Sequence, residues 1–261
     1  MTTDADATPF AINAVGLIKR FGSLTAVAGL DLRVPQGACY AFLGPNGAGK
    51  STAIALLTGL YPPDGGAARI LGHDLMTESL AIKQRVGAVP EELALFERMT
   101  AFDYLVFCGR MYGLHPEDAR VRTDELLRLT ELDHRAHTMI ADYSKGMRRR
   151  LAFGAALIHG PDLLFLDEPF EGIDIVAGAV IRGLLKHLRD AGVTILLTTH
   201  VLEIADRLAT HAGVLLAGKL VADGTVSELR DQFSATTLED VFHSCVGVPK
   251  ASQARLSWYV P

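Results

Sequence analysis

Apolar residues follow two different spacings in the N-terminal part of the chain. Over residues 11–15 and 26–34 they alternate with polar residues, and this period of two predicts strands. Residues 39–43 form a short, continuously apolar segment, which predicts a buried strand. A glycine-rich turn follows, and residues 50–60 are then small or apolar with no breaker before Gly59, which predicts a buried helix. A strand, a loop and a helix are therefore expected in direct succession.

The C-terminal half alternates between helices and buried strands. Helices are predicted at residues 145–159 and 176–189, and each leads through a glycine into an apolar strand, at residues 163–166 and 193–197. Helices that alternate with buried strands are typical of parallel sheets with helices on their faces. The pattern therefore predicts an α/β fold.

The middle and the end of the chain are mostly helical in pattern. One strand is predicted at residues 86–89, and helical spacing follows at residues 102–112 and 123–132. Two small helices are predicted near the end, at residues 226–233 and 238–245. The sequence shows no internal repeat and no low-complexity linker.

Composition narrows the possible functions. The 261 residues are 49% hydrophobic and can fill a sizeable core. The net charge of −5, from 25 Lys and Arg against 30 Asp and Glu, offers no global field for nucleic acid or an anionic membrane. Cys39, Cys108 and Cys245 show no paired metal spacing, which favours reduced thiols in an intracellular protein. The acidic start lacks the features of a secretion signal, and no apolar stretch reaches the about 18 residues of a spanning helix, so work at a membrane would need a partner.

The glycine-rich turn has the spacing of a phosphate loop: glycine, four residues, then Gly-Lys-Ser. Glycines let backbone N–H groups point at an anion, and the following helix adds the positive end of its dipole. We therefore expect Lys50 to reach the outer phosphates of a nucleotide and Ser51 to give its hydroxyl to Mg²⁺. The candidate loop residues are Gly44, Pro45, Asn46, Gly47, Ala48, Gly49, Lys50, Ser51 and Thr52.

Two carboxylates, Asp167 and Glu168, end the apolar strand predicted at residues 163–166. Because neighbouring strand residues point to opposite faces, we expect Asp167 on the magnesium side and Glu168 toward the attacking water. His200 closes the next predicted strand at the same edge of the sheet, where open parallel sheets bind their ligands. From its position alone, a structural role for His200 is the commoner one.

In this order the motifs resemble those of ATP-binding-cassette (ABC) ATP-binding subunits, and the resemblance covers residues 11–247. These subunits carry a Leu-Ser-Gly-Gly-Gln signature, matched in part by Tyr-Ser-Lys-Gly-Met at residues 143–147, where Ser144 and Gly146 keep their places. The resemblance implies an α/β fold of the phosphate-loop NTPase, ABC ATPase type, with a mainly parallel sheet core, an N-terminal antiparallel β part and a helical subdomain. The implied division is a single domain at 11–247, with its core at about 11–90 and 161–225, its helical subdomain at about 91–160, C-terminal helices at 226–247, and tails at 1–10 and 248–261.

The resemblance also implies ATP and Mg²⁺ as ligands. The family pairs two subunits around two nucleotides, so Ser144 and Gly146 of one chain would complete the site of Lys50 in the other. His200 matches the switch histidine that senses the terminal phosphate, and Phe21 matches the aromatic that stacks on adenine. The implied catalytic residues are Glu168, His200 and Lys50.

Two positions depart from the family pattern. Met147 replaces the glutamine of the signature and removes an amide from that contact. Glu91 replaces the glutamine of the loop after residues 86–89. A carboxylate ligates Mg²⁺ more strongly than an amide, but it adds negative charge beside the phosphates. We hypothesise that Glu91 binds metal and nucleotide and couples magnesium occupancy to the helical subdomain; a surface glutamate is the alternative.

The Pro-Glu form of that loop, the Ser-Lys-Gly-Met signature and Leu-Glu-Asp-Val-Phe at residues 238–242 resemble the ATPases of bacterial ABC type-2 export systems. The implied protein hydrolyses ATP at the cytoplasmic face of the membrane, as a peripheral subunit that powers a separate transmembrane permease. Its expected partner is a second ABC subunit, in a homodimer. No nucleic-acid partner is expected. Large apolar residues between 93 and 107 would form a groove for the permease or the core of the helical subdomain. The alternatives are a soluble ABC ATPase in translation or DNA repair, and a phosphate-loop kinase.

Two further patterns have plain interpretations. His134 and His137 have no cluster of further metal ligands beside them and are expected to face solvent. Arg148, Arg149 and Arg150 are successive helical residues that cover most of the circumference, so a solvated surface is expected rather than a nucleic-acid patch.

Overall fold

The computed structural model describes residues 10–247, and within them the chain forms two sheets flanked by helices. The strands are β1 (Phe10–Phe21), β2 (Leu24–Pro35), β3 (Cys39–Leu43), β4 (Gly65–Ile70), β5 (His73–Asp74), β6 (Val86–Val89), β7 (Leu163–Leu166), β8 (Thr194–Thr198), β9 (His211–Leu216) and β10 (Lys219–Thr225). The helices are α1 (Lys50–Leu57), α2 (Ser79–Lys83), α3 (Ala101–Met111), α4 (Pro116–Leu129), α5 (Lys145–Leu157), α6 (Ile175–Asp190), α7 (Leu202–Leu208), α8 (Val226–Gln232) and α9 (Leu238–Val246).

The larger sheet has the strand order β10-β9-β3-β8-β7-β6. All its pairings are parallel except that of β10 with β9, so the predicted parallel core is confirmed. Every residue of β3, β7 and β8 is buried, which explains why these strands are almost continuously apolar. Because β3, β8, β7 and β6 are neighbours, the loops after their carboxyl ends meet at one edge of the sheet.

The smaller sheet is antiparallel, with the order β2-β1-β4-β5, and confirms the predicted N-terminal β part. Strands β1 and β2 are longer than the predicted 11–15 and 26–34. The pairing shifts register between Ala14 and Leu17, where Gly16 has a φ of 60°. Such a bulge reverses the side-chain alternation, so the period of two is lost although the strand continues.

A helical region is formed by α3, α4 and α5 around its own apolar cluster, which includes Leu105, Leu127, Leu151 and Ile158. Helix α4 begins at Pro116, where proline has no N–H to leave unpaired, and ends at Leu129 rather than at 132. The division of residues 11–247 into a core, a helical subdomain and C-terminal helices stays a prediction. Of the predicted tails, residues 1–9 and 248–261 lie outside the described residues, while Phe10 begins β1.

Composition led to expectations about the cysteines and about membrane-spanning segments. Cys39, Cys108 and Cys245 are free thiols, and burial raises the pKa of Cys39 to about 12. None of the helices between residues 10 and 247 combines the length and apolar character that crossing a bilayer requires.

Candidate active site

The glycine-rich loop between β3 and α1 needs glycine at specific places. Gly49 caps α1 with a φ of 103°, and a Cβ there would lie 2.2 Å from the carbonyl oxygen of Ala26. A Cβ on Gly44 would lie 2.5 Å from the carbonyl oxygen of Leu215. Any larger residue would therefore push the loop away from its neighbours, and would in addition be strained at Gly49.

Lys50, the first residue of α1, is 7% exposed and turns its ammonium back into the loop. Its Nζ donates hydrogen bonds to the carbonyl oxygens of Gly44 at 2.8 Å and Pro45 at 3.3 Å. Ala48 is buried, while Asn46 and Gly47 are exposed. A cation and the N-terminus of a helix thus meet in one loop, the arrangement that binds phosphate.

Asp167 and Glu168 follow β7 and are 6% and 7% exposed. Both are held by one hydroxyl: Thr198 Oγ1 donates to Asp167 Oδ1 at 2.6 Å and accepts from the N–H of Glu168 at 2.9 Å. Strand β7 ends at Leu166 and Glu168 has a left-handed φ of 45°, so strand alternation does not set the directions of these two side chains. The assignment of Asp167 to magnesium and of Glu168 to the attacking water stays a prediction. The chain turns at the carboxylates and does not continue as a strand.

His200 lies two residues beyond the end of β8 and contacts Glu168 directly. Its N–H donates to Glu168 Oε2 at 3.2 Å, and its ring Nδ1 lies 2.9 Å from the same oxygen. The side chain of His200 is 56% exposed, whereas that of Glu168 is 9% exposed. The imidazole therefore links a buried carboxylate to the open side of the site.

Most of the predicted site residues line a cleft of about 880 Å³ at the phosphate loop. Its lining includes Phe21, Asn46, Gly47, Gly49, Lys50, Ser51, Thr52, Glu91, Glu168, Glu171 and His200. An adjoining cleft of about 840 Å³ shares Phe21, Ser51, Thr52 and Glu91 with it and is also lined by Asp167. Side chains from four separate loops thus converge on one region.

Phe21 is 45% exposed at the edge of both clefts. Its ring meets the ring of Tyr61 edge to face, with centroids 5.7 Å apart and an interplanar angle of 76°. Lys19 Nζ lies 5.7 Å from the centroid of Phe21 and 5.9 Å from that of Tyr61. A flat ring is therefore available for stacking, and two neighbours orient it.

Glu91 is exposed in the loop after β6, beside the other carboxylates. Desolvation raises the pKa of its carboxyl, and the negative charges of Asp167, Glu171 and Glu168 act in the same direction. Glu171 was not among the predicted site residues. In the sequence it lies three residues after Glu168 and begins the segment Glu-Gly-Ile-Asp, which resembles the family's D-loop.

Ser144 and Gly146 do not line the cleft that contains Lys50. Ser144 is exposed and caps α5, with its hydroxyl accepting from the N–H of Met147 at 3.3 Å. Gly146 is buried, and a Cβ there would lie 3.2 Å from the Cβ of Ala177. Within one chain the signature and the phosphate loop are therefore apart.

The expectation of a solvated surface is wrong for two of the three successive arginines. Arg149 is 2% exposed, and its guanidinium donates to the carbonyl oxygens of Pro90 at 2.7 Å and Glu91 at 3.0 Å. Arg150 donates to the carbonyl oxygen of Thr130 at 2.9 Å, and its side chain is 13% exposed. Successive helical residues point about 100° apart, so on a packed helix each meets a different neighbour.

His134 and His137 are both exposed, as expected. The ring of His137 lies 5.4 Å from that of Phe102. Among residues 10–247 no group of three or more His, Cys, Asp and Glu side chains is arranged to hold a metal by itself. A metal in this site would therefore need oxygen ligands from other residue types or from the nucleotide.

A glycine loop that begins a helix, a buried lysine and a carboxylate pair at the carboxyl edge of a parallel sheet define a phosphate-loop nucleoside triphosphatase. Residues 27–171 match the family model described as ABC transporter, and the chain belongs to this family. It is the ATP-binding subunit of such a transporter and an ATPase.

The daunorubicin/doxorubicin resistance ATP-binding protein DrrA of Streptomyces peucetius is 41% identical over 233 residues, which cover 89% of this chain and 71% of that protein. Nod factor export ATP-binding protein I of Cupriavidus metallidurans is 40% identical over 224 residues, covering 86% and 74%. A solved structure described as an ATP-binding subunit of an ABC transporter has a TM-score of 0.84 at 29% identity and covers 90% of this chain and 99% of its own. The alternative in translation or DNA repair finds no support in these comparisons.

Proposed function

We propose that this subunit hydrolyses ATP in a cytoplasmic pair of cassettes and thereby drives export through a separate membrane permease. The names of relatives at 40–41% identity, which describe drug resistance and Nod factor export, support the direction of transport. The observation that carries the proposal is the convergence of Lys50, Glu168 and His200 on one cleft while Ser144 and Gly146 lie outside it. One chain then holds two halves of a site that only a second chain can join.

The residues proposed to hold Mg²⁺ are Ser51, Asp167 and Glu91. They fit the ion because hydroxyl and carboxylate oxygens are its preferred protein ligands, and because all three line the same adjoining cleft. Bound there, the ion would neutralise charge on the outer phosphates of ATP. The hydrogen bond from Thr198 to Asp167 Oδ1 fixes the orientation of that carboxylate.

The chemical step is an in-line displacement at the γ-phosphorus. The oxygen of a water molecule forms a bond to phosphorus while the bond from phosphorus to the bridging oxygen of ADP breaks, and Glu168 accepts the proton of the water. Lys50 and the N–H groups of the phosphate loop stabilise the charge on the phosphates. The contact of His200 with Glu168 Oε2 orients the base. Phe21 stacks on adenine.

A second copy of this chain is the proposed partner in the closed pair. Ile175 and Val176, which begin α6 after the loop of Glu171, are 86% and 65% exposed. Exposed aliphatic side chains beside a catalytic loop suit a surface that becomes covered when two cassettes close. The fold similarity to a dimeric cassette solved with ADP and phosphate, at a TM-score of 0.76, is compatible with this arrangement.

The proposed permease contact is a cleft of about 480 Å³ between the loop of Glu91 and α3. Its lining is mainly apolar and includes Leu93, Leu95, Tyr104, Phe107 and Met111. Phe107 and Met111 are 39% and 71% exposed, so they offer apolar surface to a helix of a partner. Through this contact the subunit would lie at the cytoplasmic face of the membrane.

Phosphate release from ATP by the purified protein tests the ATPase. Lys50→Ala should abolish the activity, because it removes the buried cation of the phosphate loop; parental turnover in this variant would refute the mechanism.

Glu168→Gln should bind ATP and turn over about 10²–10⁴ times more slowly, because it lacks the base. The same variant should elute as a dimer with ATP, since ATP must bind the closed pair better than the open one. A strictly monomeric profile at saturating ATP would count against the pairing.

The coupling role of Glu91 has its own test. Glu91→Ala should change the magnesium dependence of the ATPase, because it removes a proposed ligand; an unchanged dependence would refute that role.

The permease contact is tested by copurification. The subunit should be recovered with a polytopic membrane protein, and Phe107→Asp should abolish this recovery. Retention of the partner by that variant would place the contact elsewhere.

A further inference from the structure

Arg149 is the largest side chain among the most deeply buried residues of the described chain. It extends from α5, the helix that begins with the signature, to the loop after β6. Its two terminal nitrogens donate to consecutive carbonyl oxygens, those of Pro90 at 2.7 Å and Glu91 at 3.0 Å. Burying a guanidinium is costly unless its charge and its N–H groups are compensated, so this position needs a physical reason.

Arg149 lines a cleft of about 330 Å³ together with carboxylate residues that include Glu91 and Glu171. Burial lowers the pKa of Arg149, while the negative charges of Glu171, Glu91, Asp167 and Glu168 act in the opposite direction. Its hydrogen bonds go to carbonyl oxygens, so no single carboxylate claims the guanidinium. The cation therefore compensates the carboxylate group as a whole and holds the backbone beside it.

Glu91 makes this compensation necessary. Three further carboxylates, Asp167, Glu168 and Glu171, already lie around the proposed site, and the triphosphate of ATP adds more negative charge. Asp167 and Glu168 are 6% and 7% exposed, so salt screens the repulsion from these two charges poorly. A guanidinium stays protonated in proteins, so it can offset this charge in every state of the site.

We propose that Arg149 is a positioning residue that allows a carboxylate at Glu91, by offsetting its charge and fixing the backbone of its loop. The proposal rests on the proposed nucleotide site in this cleft. Arg149 touches neither the phosphate loop nor the carboxylates through a hydrogen bond, and it acts through the loop of Glu91. It also connects this loop to α5, so a shift of the helical region would move Glu91.

Arg150 provides a matched control on the same helix. It also donates to two backbone carbonyl oxygens, those of Thr130 at 2.9 Å and Glu131 at 3.3 Å. Those residues follow α4, and Arg150 does not line the cleft that Arg149 shares with Glu91 and Glu171. Arg150→Gln therefore removes a similar tether without removing charge from the site.

The test is a double-mutant cycle with Arg149→Gln and Glu91→Gln, read as kcat/KM for ATP from phosphate release. Arg149→Gln should lower kcat/KM by about tenfold or more in the wild type, but by about threefold or less relative to its parent when Glu91 is already Gln. Arg150→Gln should cause the same change in both backgrounds. Equal losses for Arg149→Gln in both backgrounds would refute the compensation of charge, because a tether alone would not depend on residue 91.

A second readout does not require turnover. Amide hydrogen exchange across residues 90–95, measured in the same proteins without nucleotide, should increase more on Arg149→Gln in the wild type than in the Glu91→Gln background. An equal increase in both would overturn the proposal. If Arg149→Gln does not fold, Arg149→Lys keeps the charge but not the paired hydrogen bonds, so its loss of kcat/KM should be the same, within about threefold, whether residue 91 is Glu or Gln; a loss that depends on residue 91 although the charge is kept would refute the compensation. Activity in Lys50→Ala would instead refute the proposed function, while the exchange result would still test Arg149.

Discussion

Thr198 holds both carboxylate residues of the site through a single hydroxyl, so replacing it with valine is a sharp test of the geometry. The residue ends β8 and is completely buried. Its Oγ1 accepts from the N–H of Glu168 at 2.9 Å and donates to Asp167 Oδ1 at 2.6 Å. Valine has nearly the same shape, so Thr198→Val removes two hydrogen bonds without creating a large cavity.

The expected cost follows from the two groups that lose their partner. A buried polar group left without a hydrogen bond costs about 1–3 kcal/mol, so the loss of both partners in Thr198→Val should lower the free energy of unfolding by about 2–6 kcal/mol. For a chain of this size each kcal/mol corresponds to about 2–4 °C, so the Tm should fall by about 4–24 °C. The ATPase kcat should fall by about tenfold or more, because the base and the proposed metal ligand lose their common support.

Thr194 is the matched control, because it begins the same strand at the opposite end. Its hydroxyl accepts one hydrogen bond, from the N–H of Gly37 at 2.9 Å, and the residue is 2% exposed. Thr194→Val should cost about 1–3 kcal/mol and keep kcat within about twofold when assayed well below its Tm. If Thr198→Val keeps wild-type kcat, or if both variants lose activity equally, then Thr198 does not position the carboxylates.

Three further predictions concern base stacking, helix docking and pH. Phe21→Ala should weaken ATP binding about tenfold or more, measured by titration with a fluorescent analogue, whereas Phe21→Tyr should keep the affinity. Asp206→Ala removes the acceptor of Arg230 Nη2 at 2.9 and 3.0 Å and of the Leu238 N–H at 2.9 Å, so it should speed limited proteolysis within residues 226–247. Burial raises the pKa of Asp223, so the folded state binds the proton of this carboxyl more tightly than the unfolded chain does. The protonated carboxyl therefore stabilises the fold fully below the unfolded pKa, and this stabilisation is lost as the pH rises through the folded pKa. Asp223→Asn cannot ionise, so its Tm should rise relative to that of the wild type as the pH increases above the ordinary aspartate pKa of about 4.

The buried parallel strands could be predicted from the sequence because their burial makes them continuously apolar. The predicted bounds of β3, β6 and β7 match those in the structure. The hairpin of β9 and β10 escaped prediction because it is interrupted by glycines and charges and because Ala217 and Gly218 turn it with positive φ angles of 47° and 77°. Helix α7 has only 7 residues, too few for a helical period to stand out.

The residues of the site likewise include some that the sequence identifies and some that it does not. Lys50, Asp167 and His200 belong to motifs in which the neighbours along the chain identify the residue. Thr198 and Arg149 could not be identified in this way, because their roles arise from contacts across 31 and 59 residues of sequence. Only the fold brings these residues together, and a threonine in a strand or an arginine on a helix carries no local sign of such a contact.

Glu168 shows why the local pattern fails at the centre of the site. A strand that continued through Asp167 and Glu168 would point the two carboxylates to opposite faces. Instead, Glu168 takes a φ of 45°, a conformation that costs a non-glycine residue about 1–3 kcal/mol. Its N–H is satisfied by Thr198 and its carboxylate by the backbone and ring of His200, and these contacts offset that cost. The turn keeps the carboxylate of Glu168 in contact with His200 at the cleft. A backbone conformation that is unfavourable for glutamate therefore helps to place the base.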